Sequence, residues 1–186
     1  MKVKALITQQ VQVMERFFTE YETSIARAVN EICARLERGG KIILFGNGGS
    51  AAQAQHFAAE LVNKFLKSRR AIPALSLTTD TSSLTSIAND TSFDHVFSRQ
   101  LEALAQEGDV VLAISTSGRS PNVIRALQTA GEKGMLRIGL TGEGGGKMGS
   151  LCDILLDVPS QDTPRVQEVH LFLLHLLCQE IEEKAG

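Results

Sequence analysis

The chain predicts an α/β fold: a five-stranded parallel sheet between helical layers, a three-layer sandwich led by one long helix. Two observations carry that prediction. Five short apolar runs, at 41–45, 72–77, 110–114, 136–140 and 154–158, alternate with helical stretches at about 50–66, 81–88, 93–106, 120–133 and 163–184. Runs that are apolar throughout suit strands covered on both faces. The first 38 residues instead repeat apolar side chains at steps of three and four, through Val11, Met14, Phe18, Tyr21, Ile25, Ala28, Ile32 and Leu36. That seam predicts one long helix, stopped by Gly39-Gly40; packing on helices of other subunits is favoured, and packing on the chain's own sheet would give the same stripe. No linker or repeat divides the 186 residues, so 1–186 reads as one domain, with 1–38 an oligomerisation helix and 39–186 the α/β core.

Composition narrows the function. A net charge of −2 leaves no basic footprint for nucleic acid. No segment approaches about 18 uncharged apolar residues, and Met1-Lys2-Val3-Lys4 opens no signal-peptide core, so neither membrane nor secretion is expected. Cys33, Cys152 and Cys178 are odd in number and lack CxxC spacing; they read as reduced thiols of a cytoplasmic protein.

The chemistry is expected at the carboxyl ends of strands, where open α/β sheets bind ligands. After the first strand comes Gly46-Asn47-Gly48-Gly49-Ser50, in which glycines allow a tight turn and Ser50 suits a helix N-cap. After the third comes Ser115-Thr116-Ser117-Gly118-Arg119-Ser120-Pro121, with Ser120 placed to cap a helix that Pro121 begins. Hydroxyls beside helix-terminal amides make an anion site that needs no lysine.

Two other motifs weaken on inspection. Gly46 to Ala51 matches GxGxxA, with Asp80 closing the next strand, as a dinucleotide site would. Yet Gln53, Gln55, His56 and Glu60 crowd a helix that would then be apolar, and the serine loop has no role. Gly142 to Met148 imitates a Walker A loop, but Met148 stands where a hydroxyl should bind magnesium, so a flexible loop is expected.

His56 and Glu60, four apart, share a helix face. Far along the chain, Gln167, His170 and His175 lie in the apolar last helix, where a buried imidazole needs a partner, a metal or a proton to move. The two histidines flank Gln167 by about 60° and 80°, so periodicity leaves both open. Asn89-Asp90, ending the short helix after the second strand, fit either turn chemistry or sugar hydroxyls.

These pieces in this order resemble the sugar isomerase (SIS) domain family, and within it the phosphoheptose isomerase branch. The resemblance is densest in GNGGSAAQAQHFAAEL (46–61), TDTSSLTSIAND (79–90), AISTSGRSPNV (113–123) and RVQEVHLFLLH (165–175). It implies a flavodoxin-like sandwich and a homotetramer whose phosphorylated heptose substrate, sedoheptulose 7-phosphate, is isomerised through an enediol toward ADP/GDP-heptose. It implies that Ser50, Ser115, Thr116, Ser117 and Ser120, with the amides of Gly48 and Gly49, bind the phosphate. Asn47, Asn89, Asp90 and Gln167 would hold the sugar. Glu60 would be the base and His175 the acid. One zinc ion per subunit would be bound by His56, Glu60, Gln167 and His175, which selects His175 over His170. Pro164 stands where some relatives carry an acidic residue, which leaves Asp162 as the alternative supporting carboxylate. The family also holds non-catalytic members, among them a paralogue that associates with a replication initiator; it lacks the counterparts of Glu60 and His175, which this chain has.

Overall fold

The computed structural model describes residues 2–185. Its elements run α1 (Val3–Glu37), β1 (Ile42–Gly46), α2 (Gly49–Val62), β2 (Ala74–Ser76), α3 (Thr81–Asp90), a 3-10 turn at Phe93–His95, α4 (Ser98–Leu104), β3 (Val110–Ser115), α5 (Pro121–Glu132), β4 (Leu136–Gly142), β5 (Ile154–Val158) and α6 (Thr163–Ala185). All strands are parallel in the order β2-β1-β3-β4-β5. Every residue of β1 and β3 is buried, as their unbroken apolar sequence requires of central strands. One core lies between the sheet and α1, α2 and α6, the other between the sheet and the α4–α5 side, so the sandwich has three layers. The chain leaves β1 for β2 on one side and returns to β3 on the other, which puts the topological switch point between the ends of β1 and β3.

Four expectations change. The first helix does not reserve its seam for other subunits: Phe17, Ile25, Ala28, Val29, Ile32 and Cys33 are buried in the chain's own core. Only its beginning stays open, with Val3, Leu6, Ile7 and Val11 each at least 44% exposed. The second strand is short because Pro73 carries no amide to donate and the Ile72 amide turns back to Leu61 O at 3.1 Å. The helix expected over 93–106 breaks into a 3-10 turn and α4; the bend at Val96-Phe97 lets both side chains enter the core, with Phe97 stacked on Phe45 at 5.3 Å. The second helix stops at Val62, and 63–73 is irregular.

The glycine-rich stretch after β4 is a strut and not a flexible loop. Gly144, Gly145 and Gly146 all have φ between 54° and 81°, and the amides of Lys147 and Met148 donate to Gly118 O at 2.8 and 3.2 Å. The Gly142 amide donates to Thr116 O at 2.9 Å. The serine-rich loop is thus backed by a second layer of backbone, which excludes side chains. A Cβ on Gly118 would sit 2.2 Å from Gly145 O, and its φ of 60° disfavours one in any case.

Candidate active site

Both informative loops meet at the switch point. Gly46 pairs with Ile114 in register, and a Cβ there would lie 2.7 Å from Ile114 O and 2.8 Å from the Ser50 Cβ. Glycine lets the two strand ends and the first turn of α2 close together. Gly48 then takes φ 55° and ψ −120° to start α2 one residue later. Ser50 is therefore not the cap: it is the second residue of the helix, 4% exposed, with its amide on Asn47 O at 3.0 Å. Ser120 precedes Pro121 as expected but makes no capping bond; its hydroxyl meets that of Ser115 at 3.0 Å. A hydroxyl turned away from its own helix and toward another hydroxyl is available to a ligand.

The cradle is small and polar. Ser115 is buried, Thr116 and Ser120 half-buried, and Ser117 exposed, its Oγ accepting from the Arg119 amide at 3.2 Å. The amides of Gly48, Thr116, Ser117 and Ser120 make no hydrogen bond among the described residues. The N-termini of α2 and α5 both open here, adding two helix dipoles of the sign that holds an anion. Asn47 ties the loops together. Its amide and that of Asn122 exchange two hydrogen bonds of 2.9 Å, and Asn122 Oδ1 also accepts from the Val123 amide at 2.9 Å. Within this chain Asn47 is thus a joint between loops. Asn122, buried and 75 positions away, was not read from the sequence; its only signal is its place just after Ser120-Pro121.

The second cluster lies further along α2. His56 Nε2 is 2.9 Å from His175 Nε2 and 3.7 Å from Glu60 Oε1, so His56 bridges the carboxylate and the imidazole of α6. His175 is half-buried, edge-on to His56 at 5.1 Å and stacked on Phe65 at 5.5 Å and 24°. His170 belongs to the scaffold. It is fully buried, its Nε2 donates to Thr141 O at 3.0 Å, and burial pushes its pKa down to about 4, which keeps the ring neutral.

Other expected residues fall elsewhere. Gln167 packs on Gly49, its Nε2 2.6 Å from where a Cβ would sit, and no hydrogen bond joins it to His56, Glu60 or His175 among the described residues. It lies eight residues, about 12 Å of helix rise, before His175. Asn89 and Asp90 are exposed and bonded to each other at 2.8 Å, and no side-chain hydrogen bond joins either to the two loops among the described residues. Asp80 caps α3 through the Ser83 amide and hydroxyl at 3.1 and 2.6 Å, bonds that hold its carboxyl below the usual range; it is spent as a cap. Asp162 is exposed at the start of α6. Burial raises the thiols of Cys152 and Cys178 to about 12, so neither is a nucleophile at neutral pH.

Known proteins resemble this chain along most of its length. The SIS domain matches residues 7–142. The phosphoheptose isomerase of Desulfovibrio desulfuricans is 57% identical over 168 residues, 90% of this chain and 80% of that one. The enzyme of the same name from Campylobacter jejuni subsp. jejuni is 51% identical over 181 residues, 96% of this chain and 97% of its own. Among solved structures, phosphoheptose isomerases of Neisseria gonorrhoeae and Francisella tularensis match with TM-scores of 0.92 and 0.95 at 42% and 35% identity, each over 98% of this chain and 97% of the other. The chain therefore belongs to the SIS domain family, on its phosphoheptose isomerase branch.

Proposed function

We propose that the protein is a phosphoheptose isomerase, interconverting sedoheptulose 7-phosphate and D-glycero-D-manno-heptose 7-phosphate through an enediol. The observation that carries the reading is the span of α2. Its N-terminus opens into the hydroxyl cradle, and about 10 Å of helix rise later His56 meets His175, with Glu60 one turn beyond. An open-chain seven-carbon sugar held by its terminal phosphate is of that length. An anchored phosphate places the carbonyl end by binding energy remote from the reacting bonds.

In the reaction Glu60 takes the proton from the carbon beside the carbonyl and returns it to the neighbouring carbon. His175 moves a proton between the two oxygens, the acid-base role an imidazole commonly takes. His56 touches both, so it keeps base and acid in one frame. Two neutral imidazoles cannot present bare lone pairs to each other at 2.9 Å; a proton or a cation must lie between them. That requirement, with a carboxylate adjoining, suits zinc, and His56, Glu60 and His175 are the residues that would hold it. As they stand, the described residues form no closed cluster of three such ligands. Zinc when bound would supply Lewis acidity to an enediolate.

Assembly as a homotetramer is supported by the exposed apolar start of α1 and by Leu171 and Phe172 of α6, 39% and 50% exposed, with Phe172 against Phe18. Unpaired cysteines fit a cytoplasmic setting, and no described helix is long and apolar enough to cross a membrane. Incubation with sedoheptulose 7-phosphate, followed by NMR of the sugar carbons, should show the aldose accumulate to equilibrium. A protein that binds the ester and never converts it would be a sensor instead.

A further inference from the structure

The segment after α2 has little apolar anchorage. From Asn63 to Ala71 only Phe65, partly buried against the core, and Arg69, through its side chain, are covered. A loop of that kind should wander, yet it carries the ring stacked on His175. What holds it is polar. The Glu182 carboxylate, its side chain 2% exposed, accepts from the amides of Phe65, Leu66 and Lys67 at 3.0, 2.8 and 2.9 Å and from Arg69 Nε at 3.0 Å. Burial alone would raise that carboxyl; the three amides and the guanidinium outweigh it and hold it low. Arg69, its side chain 4% exposed, spends its remaining donors on carbonyls at the end of α2: Nη2 on Glu60 O at 2.8 Å and Nη1 on Leu61 O at 2.8 Å. It closes a helix end that has no C-cap glycine.

We propose that the buried Arg69–Glu182 pair and Phe65 form a positioning device for the reaction. Arg69 fixes the backbone of Glu60. Glu182 seats Phe65, and Phe65 stacks on the face of the His175 ring whose Nε2 edge meets His56. Glu182 stands seven residues after His175, two turns along the same face of α6, so the helix that carries the imidazole also carries the anchor of its support. Fold stability alone does not account for the pair, since buried ion pairs are commonly no more stabilising than apolar side chains of equal size. The inference rests on the reading of Glu60 and His175 as base and acid.

The test uses Phe65→Leu, which leaves the ion pair whole. Its kcat should fall about tenfold while KM for the sugar phosphate stays within about twofold and the melting temperature holds. Phe65→Tyr should restore kcat. On chelator-treated protein, acylation of His175 by diethyl pyrocarbonate, located by peptide mass, should speed up several-fold in Phe65→Leu, roughly as the lost packing exposes the ring. Glu182→Gln should show the same loss of kcat per folded molecule together with a lower melting temperature. Wild-type kcat and acylation rate in Phe65→Leu would overturn the inference. So would a loss in Glu182→Gln that only tracks the folded fraction. His175→Asn separates the two levels: wild-type turnover there sinks the acid-base reading itself, whereas an inactive His175→Asn beside an unaffected Phe65→Leu sinks only the positioning role.

Discussion

Asn47 and Asn122 exchange two hydrogen bonds of 2.9 Å across the switch point, and through them the loop after β1 and the start of α5 become one binding surface. Asn122→Ala leaves the half-buried Asn47 amide without its partner and frees the loops to separate. The expected cost is about 1–3 kcal/mol in urea unfolding, with a rise in KM for the sugar phosphate larger than any fall in kcat. Asn122→Asp keeps two of the three hydrogen bonds and should fall between.

Glu60 is the base of the proposed chemistry, so Glu60→Gln should lower kcat by about 10²–10⁴-fold. Calorimetric titration with sedoheptulose 7-phosphate should still show affinity near that of the wild type, because the phosphate cradle lies at the other end of α2. Near-normal turnover would remove Glu60 from the chemistry.

Ser120 separates a structural from a ligand-binding role. As a helix cap its removal would cost about 1 kcal/mol of stability. Its hydroxyl caps nothing and faces Ser115, so Ser120→Ala should leave the melting temperature nearly unchanged and weaken binding of phosphate esters. Because the two hydroxyls touch, the Ser115→Ala/Ser120→Ala double variant should lose less affinity than the two single losses added together.

His170 makes stability depend on pH. Its folded pKa, about 4, lies below the ordinary 6.5, since burial penalises the charged ring. The unfolded chain therefore takes up a proton first as pH falls. The contribution is complete above pH 6.5, is lost progressively down to about pH 4, and amounts to about 3 kcal/mol. The carboxyl of Glu182 is held below its ordinary 4.5, so its contribution is complete above that pH and is lost as pH falls below it. Urea midpoints at pH 7.5 and 4.5 should differ in the wild type and much less in His170→Gln, which removes the titrating ring.

Zinc retention tests the second cluster directly. Protein purified with zinc and dialysed should keep the metal, and His56→Ala should lose most of it, as measured by atomic emission; an unchanged stoichiometry would show that His56 is no ligand.

Local signals in the sequence were enough for the elements and for the two loops. Alternation of wholly apolar runs with helical periods yields the parallel sheet, because each signal lies within a few residues. Glycine and serine after strands mark the cradle for the same reason. His56 and Glu60 are neighbours by helix geometry alone. Two readings in these loops failed because tertiary contacts outweighed local chemistry. Ser50 looks like a cap until Gly48 takes that position, whereas Ser120 keeps the cap position while its hydroxyl faces Ser115. The glycine stretch 142–148 looks mobile until Gly118 closes on it.

What the sequence by itself determined is therefore the fold class, the two glycine- and serine-rich turns and the candidates for acid and base, since each is written in neighbouring positions or in long matched runs. Only the tertiary structure decided that His175 lies 2.9 Å from His56, that Asn122 joins the loops, and that Arg69 and Glu182 hold the segment under the imidazole. Those contacts span between 75 and 119 positions for His56, Asn47 and Glu182 alike, and only the burial of α2 against α6 and of β1 against β3 brings such distant positions within hydrogen-bond reach.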